Sequence, residues 1–185
     1  MKKLIYLFVI AMLLGGCFHH TPRKFYSGVP PQTVLFNDFK SNDKDDAVLF
    51  QTIGLDYCKQ KDWAKAEVYL SKAVKLNPKL YLSWYCLGLL NIDNQKGYNY
   101  LEKSVEVKAN FPIPYYWMAY YHCRIREDQK AIPLFRKYIK LAKGKPGEED
   151  RLKAAKEVLQ ELLNGKEGKA LTMIRKPSEK EAAQK

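Results

Sequence analysis

The chain has 185 residues, 46% of them hydrophobic and 28% charged, with four cysteines and a formal net charge of +12. That length and mixture fit one domain with a sizeable core plus tails, and they exclude a chain too polar to fold. In a cytosolic protein such a charge, with 13% aromatic residues, would put nucleic acid among the expected partners; the N-terminus redirects that reading.

Lys2 and Lys3 form a positive start, Leu4 to Leu14 an uncharged apolar run, and Gly15-Gly16 a small-residue end. This is the layout of a secretory signal, too short to span a bilayer and stay there. The stretch Leu14-Gly15-Gly16-Cys17 resembles a bacterial lipobox. The resemblance implies that residues 1–16 are a signal peptide. It also implies that Cys17 becomes the first mature residue, carrying a diacylglyceryl thioether and an acylated amine. Two or three acyl chains hold a protein on a membrane where one does not. Phe18 stands where an Asp often marks inner-membrane retention, so the expected site is the outer membrane, facing the periplasm. A plain signal peptide with a chance cysteine is the alternative.

Removal of Lys2 and Lys3 lowers the charge by two, to +10. For an exported chain the available targets are anionic lipid, cell wall or an acidic protein rather than nucleic acid. A merely solvated lysine-rich surface competes with these.

Residues 17–42 read as a lipidated N-terminus and tether, punctuated by Pro22, Gly28, Pro30 and Pro31 and without helical period. From Asp43 to about Asn164 the pattern is helical, and it repeats. Phe50-x-x-Ile53-Gly54-x-x-Tyr57 returns after 34 residues as Trp84-x-x-Leu87-Gly88-x-x-Asn91, and after 31 more as Tyr115-x-x-Met118-Ala119-x-x-His122. Each is followed by a second motif: Ala66-x-x-x-Leu70, Gly97-x-x-x-Leu101 and Ala131-x-x-x-Phe135. The array resembles the tetratricopeptide repeat (TPR), a helix hairpin of 34 residues. The resemblance implies an all-α superhelical array of three hairpins. Within each, small residues let helix A approach helix B closely, Gly54, Gly88 and Ala119 facing Ala66, Gly97 and Ala131.

The second unit is short, with 9 residues from Gly88 to Gly97 against 12 in the others; a shorter helix or a tighter corner is expected there. Glu148, Glu149 and Asp150 open a further helix with a stripe of Leu152, Ala155, Leu159, Leu162 and Leu163, stopped at Asn164-Gly165. Its role is to cap the array, so the repeat domain covers 43–165. Residues 166–185 are expected to form a disordered basic tail.

No nucleophile elbow, phosphate loop, zinc-protease helix or Cys-x-x-Cys is present. The chain is therefore expected not to be an enzyme and to need no cofactor or metal. His19 and His20 adjoin Cys17, but a thioether offers a metal no thiolate; a metal-binding or enzymatic envelope protein stays open as a lesser alternative. His122 reads as a core histidine. Cys58 and Cys123 occupy equivalent places about 20 Å apart, too far for a bridge. Cys86 reads as nearly two turns out of level with both, so thiols, mostly buried, are expected.

In the family resembled, helix A residues line a concave groove. Register carries this to Leu55 and Lys59, Tyr85 and Leu89, and Tyr116, Tyr120 and Arg124, an apolar-aromatic strip with cations at its edge. It fits an extended peptide or partner helix with an acidic end. The tether or C-terminal helix filling the strip from within is the competing reading. The expected function is thus a membrane-anchored adaptor that docks an envelope protein, in the manner of a pilotin or similar. A basic lipid- or cell-wall-binding lipoprotein is the alternative.

Overall fold

The computed structural model describes residues 43–175. The signal peptide, Cys17, His19, His20, the tether and the chain beyond Arg175 lie outside the described residues. Six helices form three hairpins: α1 (Asp43–Lys59) with α2 (Trp63–Leu76), α3 (Tyr81–Leu90) with α4 (Gln95–Val107), and α5 (Ile113–Arg124) with α6 (Asp128–Ala142). Two more follow, α7 (Glu149–Asn164) and α8 (Lys169–Arg175). Among the described residues no helix is long and apolar enough to cross a membrane.

The hairpins close where the small residues stand. A Cβ on Gly54 would lie 2.7 Å from Leu70 Cγ, and one on Gly88 would lie 2.6 Å from Leu101 Cδ2. Each A-helix glycine therefore receives a leucine of the B helix one turn beyond the small residue it was expected to face. Ala66, Ala119 and Ala131 are fully buried, as the same close approach requires. Side-chain oxygens start two of the B helices: Asp62 accepts from Lys65 N–H at 3.2 Å and Asn94 from Gly97 N–H at 3.1 Å.

The short second unit is short in both ways expected. Helix α3 ends two residues past Gly88, whereas α1 and α5 run five past Gly54 and Ala119. The corner then folds so tightly that a Cβ on Gly97 would sit 2.0 Å from the Asn91 carbonyl oxygen, and glycine alone fits. In the longer corners Lys61 and Arg126 turn the chain instead, each at φ 61°.

Successive hairpins are joined by aromatic side chains at the start of helix A. Trp84 Nε1 donates to the Pro78 carbonyl at 2.8 Å, and Tyr115 Oη to the equivalent Ala109 carbonyl at 3.0 Å. The core runs as three linked clusters, around α1–α3, α3–α5 and α5–α8, as stacked repeats that touch only neighbours must build it.

The C-terminal end differs from the sequence reading in two places. On α7 the buried positions are Ala155, Val158 and Leu162, with Leu152 and Leu159 half-buried, while Leu163 is 50% exposed. The apolar stripe thus runs through Val158 rather than Leu163. The tail expected to be disordered from 166 is ordered to Arg175. Leu171 and Ile174, three residues apart, are buried against α5–α7, and the Glu161 carboxylate accepts from the N–H groups of Ala170 and Leu171. Arg175 then locks the end, donating to Asp128 at 2.5 and 2.6 Å and to the Cys123 carbonyl at 3.3 Å. One apolar turn suffices to fold a short segment when a carboxylate and an ion pair hold both its ends.

Candidate functional site

Aromatic side chains of α3 and α5 pack on one cluster, Tyr85 with Trp117 and Tyr120. Tyr85 meets Phe111 edge-on at 5.3 Å between ring centroids. Tyr116 meets Trp117, Phe135 and Tyr138 at 5.4, 5.8 and 5.3 Å, and Trp117 meets Tyr120 at 5.4 Å. Edge-to-face packing of this kind fixes ring orientation as well as burying area.

Helix α7 closes one side of this cluster with charge. Glu148, 4% exposed, accepts from Tyr138 Oη at 2.7 Å and from Arg151 Nη1 at 2.6 Å. The Arg151 guanidinium lies 6.0 Å from the Tyr116 ring centre. Burial first, and then the neighbouring Cys86, holds the Tyr85 phenol well above the ordinary tyrosine range. Burial likewise raises Tyr116 and Tyr120, with Arg151 and Arg124 respectively opposing it. Trp117 Nε1 is buried with no acceptor within hydrogen-bond distance, and the Tyr85 phenol is its polar neighbour.

The expected lining residues divide accordingly. Lys59 is exposed at the end of α1, and Tyr85, Leu89, Tyr116 and Tyr120 are half-buried. Arg124 pairs with Asp93 at 2.5 Å, its side chain 11% exposed. Leu55 departs from the expectation: at 6% exposure it belongs to the core of the first two hairpins. Its neighbour Gly54 draws α2 inward and carries Leu55 under α3. Trp117, Phe111 and Arg151 join the face without having been anticipated. Trp117 is hidden in "YYWMAYYHC", where aromatic residues occupy every side of the helix; Arg151 reaches in from an element read only as a cap.

At the far end of α5, Cys123 is fully buried in one cluster with Leu171 and Ile174 of α8. His122 is a core histidine as expected, 7% exposed, with Nδ1 2.8 Å from Glu127 Oε2 and its ring against Tyr98. Among the described residues no group of three or more His, Cys, Asp and Glu is placed to hold a metal ion. Among the described residues the cysteines are thiols, Cys86 and Cys123 buried and Cys58 half-buried. The hydrogen bond from Ser83 Oγ to Gln51 Oε1, 2.9 Å long, ties α3 to α1. Cys58 packs against the cluster that contains Cys86, and the Cys58 thiol, followed by burial, raises the Cys86 thiol well above its ordinary range.

No protein-family model and no curated protein sequence matches the chain. Solved structures do resemble it. The Arabidopsis OM64 TPR domain superposes with a TM-score of 0.57 at 16% identity, covering 67% of this chain and 99% of that one. The TPR2B domain of yeast Sti1, in complex with pHsp70, gives 0.55 at 13%, over 66% and 99%. The first TPR of Spaghetti (RPAP3), bound to the HSP90 peptide SRMEEVD, gives 0.53 at 11%, over 63% and 95%. Three helix hairpins at the repeat spacing, closed by small residues and stacked like these domains, make the described part of the chain a tetratricopeptide-repeat fold.

Proposed function

We propose that the chain is a non-catalytic adaptor, anchored by lipid at Cys17 to the outer membrane facing the periplasm. It holds an extended segment of an envelope protein across α1, α3 and α5. The observation that carries this reading is the half-buried aromatic cluster of Tyr85, Tyr116, Trp117 and Tyr120, with Lys59 exposed at the end of α1. Rigid amphipathic rings and an exposed cation on the same set of helices suit an extended peptide with an acidic end. Two structurally similar domains are bound to protein or peptide, which supports a docking role for the same fold here.

Photo-crosslinking amino acids placed at Lys59 and Tyr120 test the face. The expected result is adducts to one set of envelope proteins, absent when the probe replaces Val68 on helix B, which is 53% exposed. Equal adducts from both sides would sink the groove reading. Labelled palmitate incorporated by the native chain and lost in Cys17→Ser tests the anchor separately.

A second reading, binding to anionic lipid or cell wall, is favoured by one repeating feature. Lys72, Lys103 and Lys137 stand at equivalent places on the B helices. They lie 5.5, 5.0 and 5.6 Å from the ring centres of Phe50, Trp84 and Tyr115. Liposome binding by the Cys17→Ser chain that fades steeply with salt, and is lost in the triple Lys→Glu variant, would establish it.

A further inference from the structure

We propose that Cys58 and Cys86 form an intramolecular disulfide by exchange with an external disulfide, stapling the outermost helix α1 to α3. Three observations carry this. First, the thiols belong to different helices and share one core: Cys58 packs against the buried cluster that contains Cys86, and the Cys58 thiol is the neighbour that most strongly raises the Cys86 thiol. Second, α1 and α3 run side by side, with Cα atoms of the two helices within 8 Å of one another; a bridge needs its own pair within about 7 Å. Third, the pair is graded in access, Cys58 half-buried and Cys86 8% exposed.

That grading orders the chemistry. The more accessible Cys58 thiolate attacks one sulfur of an external disulfide, forming a mixed disulfide and expelling the first thiolate. Cys86 then gives up its proton and attacks Cys58 Sγ, forming the internal bond and expelling the second. Two protein thiols are oxidised and one external disulfide is reduced to two thiols. The Cys58 thiol, and then burial, push the Cys86 thiol well above its ordinary range, so Cys86 rests protonated and the second step is the slow one. Cys123 takes no part, lying in the separate cluster of α5–α8.

The bond has a mechanical consequence. Helix α1 is the last described helix at its end of the array and packs chiefly on α2, which leaves it prone to fray. Closing the 28 residues from Cys58 to Cys86 removes disorder from the unfolded chain and ties the first two A helices, which form one half of the docking face. The inference is independent of which partner docks there.

The full chain carrying Cys17→Ser is purified reduced and equilibrated with oxidised and reduced glutathione over a range of ratios. It is then quenched by alkylation and mapped by mass spectrometry. A linked Cys58–Cys86 peptide pair, two hydrogens lighter than its parts, is expected, with Cys123 alkylated only on denaturation. The oxidised form should melt on the order of 10 °C higher, and its α1 amides should exchange more slowly. Both effects should be absent in Cys86→Ala and in the milder Cys58→Ser. Cysteines 58 and 86 that stay alkylatable under oxidised glutathione, or that pair between molecules or with Cys123, overturn the proposal. A linked pair that leaves both the melting point and α1 exchange unchanged overturns the staple.

Discussion

Lys61 and Arg126 sit at equivalent corners, seven residues past Gly54 and Ala119, and both hold φ at 61°. A side chain in that left-handed region crowds its own backbone by about 1 kcal/mol, a cost glycine escapes. Lys61→Gly and Arg126→Gly are therefore each expected to stabilise by up to about 1 kcal/mol in urea unfolding. A loss of stability would mean that the side chains do more than turn the chain. Tyr138 makes the opposite case. Its hydroxyl donates to Glu148, both groups being buried, so Tyr138→Phe removes one of the two donors that hold that carboxylate. It should cost about 1–3 kcal/mol, and a neutral result would show that Arg151 alone satisfies Glu148. The sequence announces neither feature, because a left-handed lysine and a buried glutamate are permitted by context rather than by residue type.

At the scale of elements, legibility followed periodicity. The hairpins were readable because apolar and small residues recur at fixed spacing along helices of ten residues or more. The stretch from Lys169 to Arg175 carries only two buried apolar residues, Leu171 and Ile174, too few for a pattern to rise above its lysine-rich surroundings. What folds it is contact made elsewhere, with Glu161, Asp128 and the Cys123 carbonyl. Side-chain placement was legible in part for the same reason: the half-buried positions of Tyr85, Tyr116 and Tyr120 on the A helices follow from register, whereas those of Leu55 and Arg151 depend on how helices of different hairpins tilt together. Deleting 169–185 should destabilise the domain by roughly 2–5 kcal/mol through lost apolar burial. It should also open Cys123 to alkylation in the native state. An unchanged melting point after that deletion would restore the disordered-tail reading. Pro133 lies inside α6, where it withholds a backbone hydrogen bond. Pro133→Ala should stabilise α6 by about 1–3 kcal/mol, and no gain would mean that the fold uses the break.

For the whole molecule, the aromatic and thiol groups set a limit at high pH. Burial holds the phenols of Tyr85, Tyr116, Tyr120 and Tyr138 above their ordinary value and pushes Tyr98 to about 12. Burial also pushes the Cys123 thiol to about 12. Each of these groups is neutral in the folded chain and ionises earlier in the unfolded one. The stability each contributes is therefore complete below its unfolded pKa, near 9 for the thiol and 10 for the phenols, and is lost as pH rises through the folded value. Every group ionised only in the unfolded state removes up to about 1.4 kcal/mol per pH unit. Lys96, raised by its hydrogen bond to Glu67, acts with the same sign. On the acid side, Asp62 and Glu127 are lowered by Lys65 and Lys130, but both pairs lie at the surface, where water and salt screen them. Urea midpoints between pH 3 and pH 11 should accordingly fall far more steeply above pH 9.5 than these two pairs make them fall below pH 4. A midpoint that stayed level to pH 11 would mean that Tyr85, Tyr116 and Tyr120 already ionise as they do in water. In that case the face between α3 and α5 is an open, wet surface, and the half-buried aromatic cluster on which docking was argued does not exist in solution.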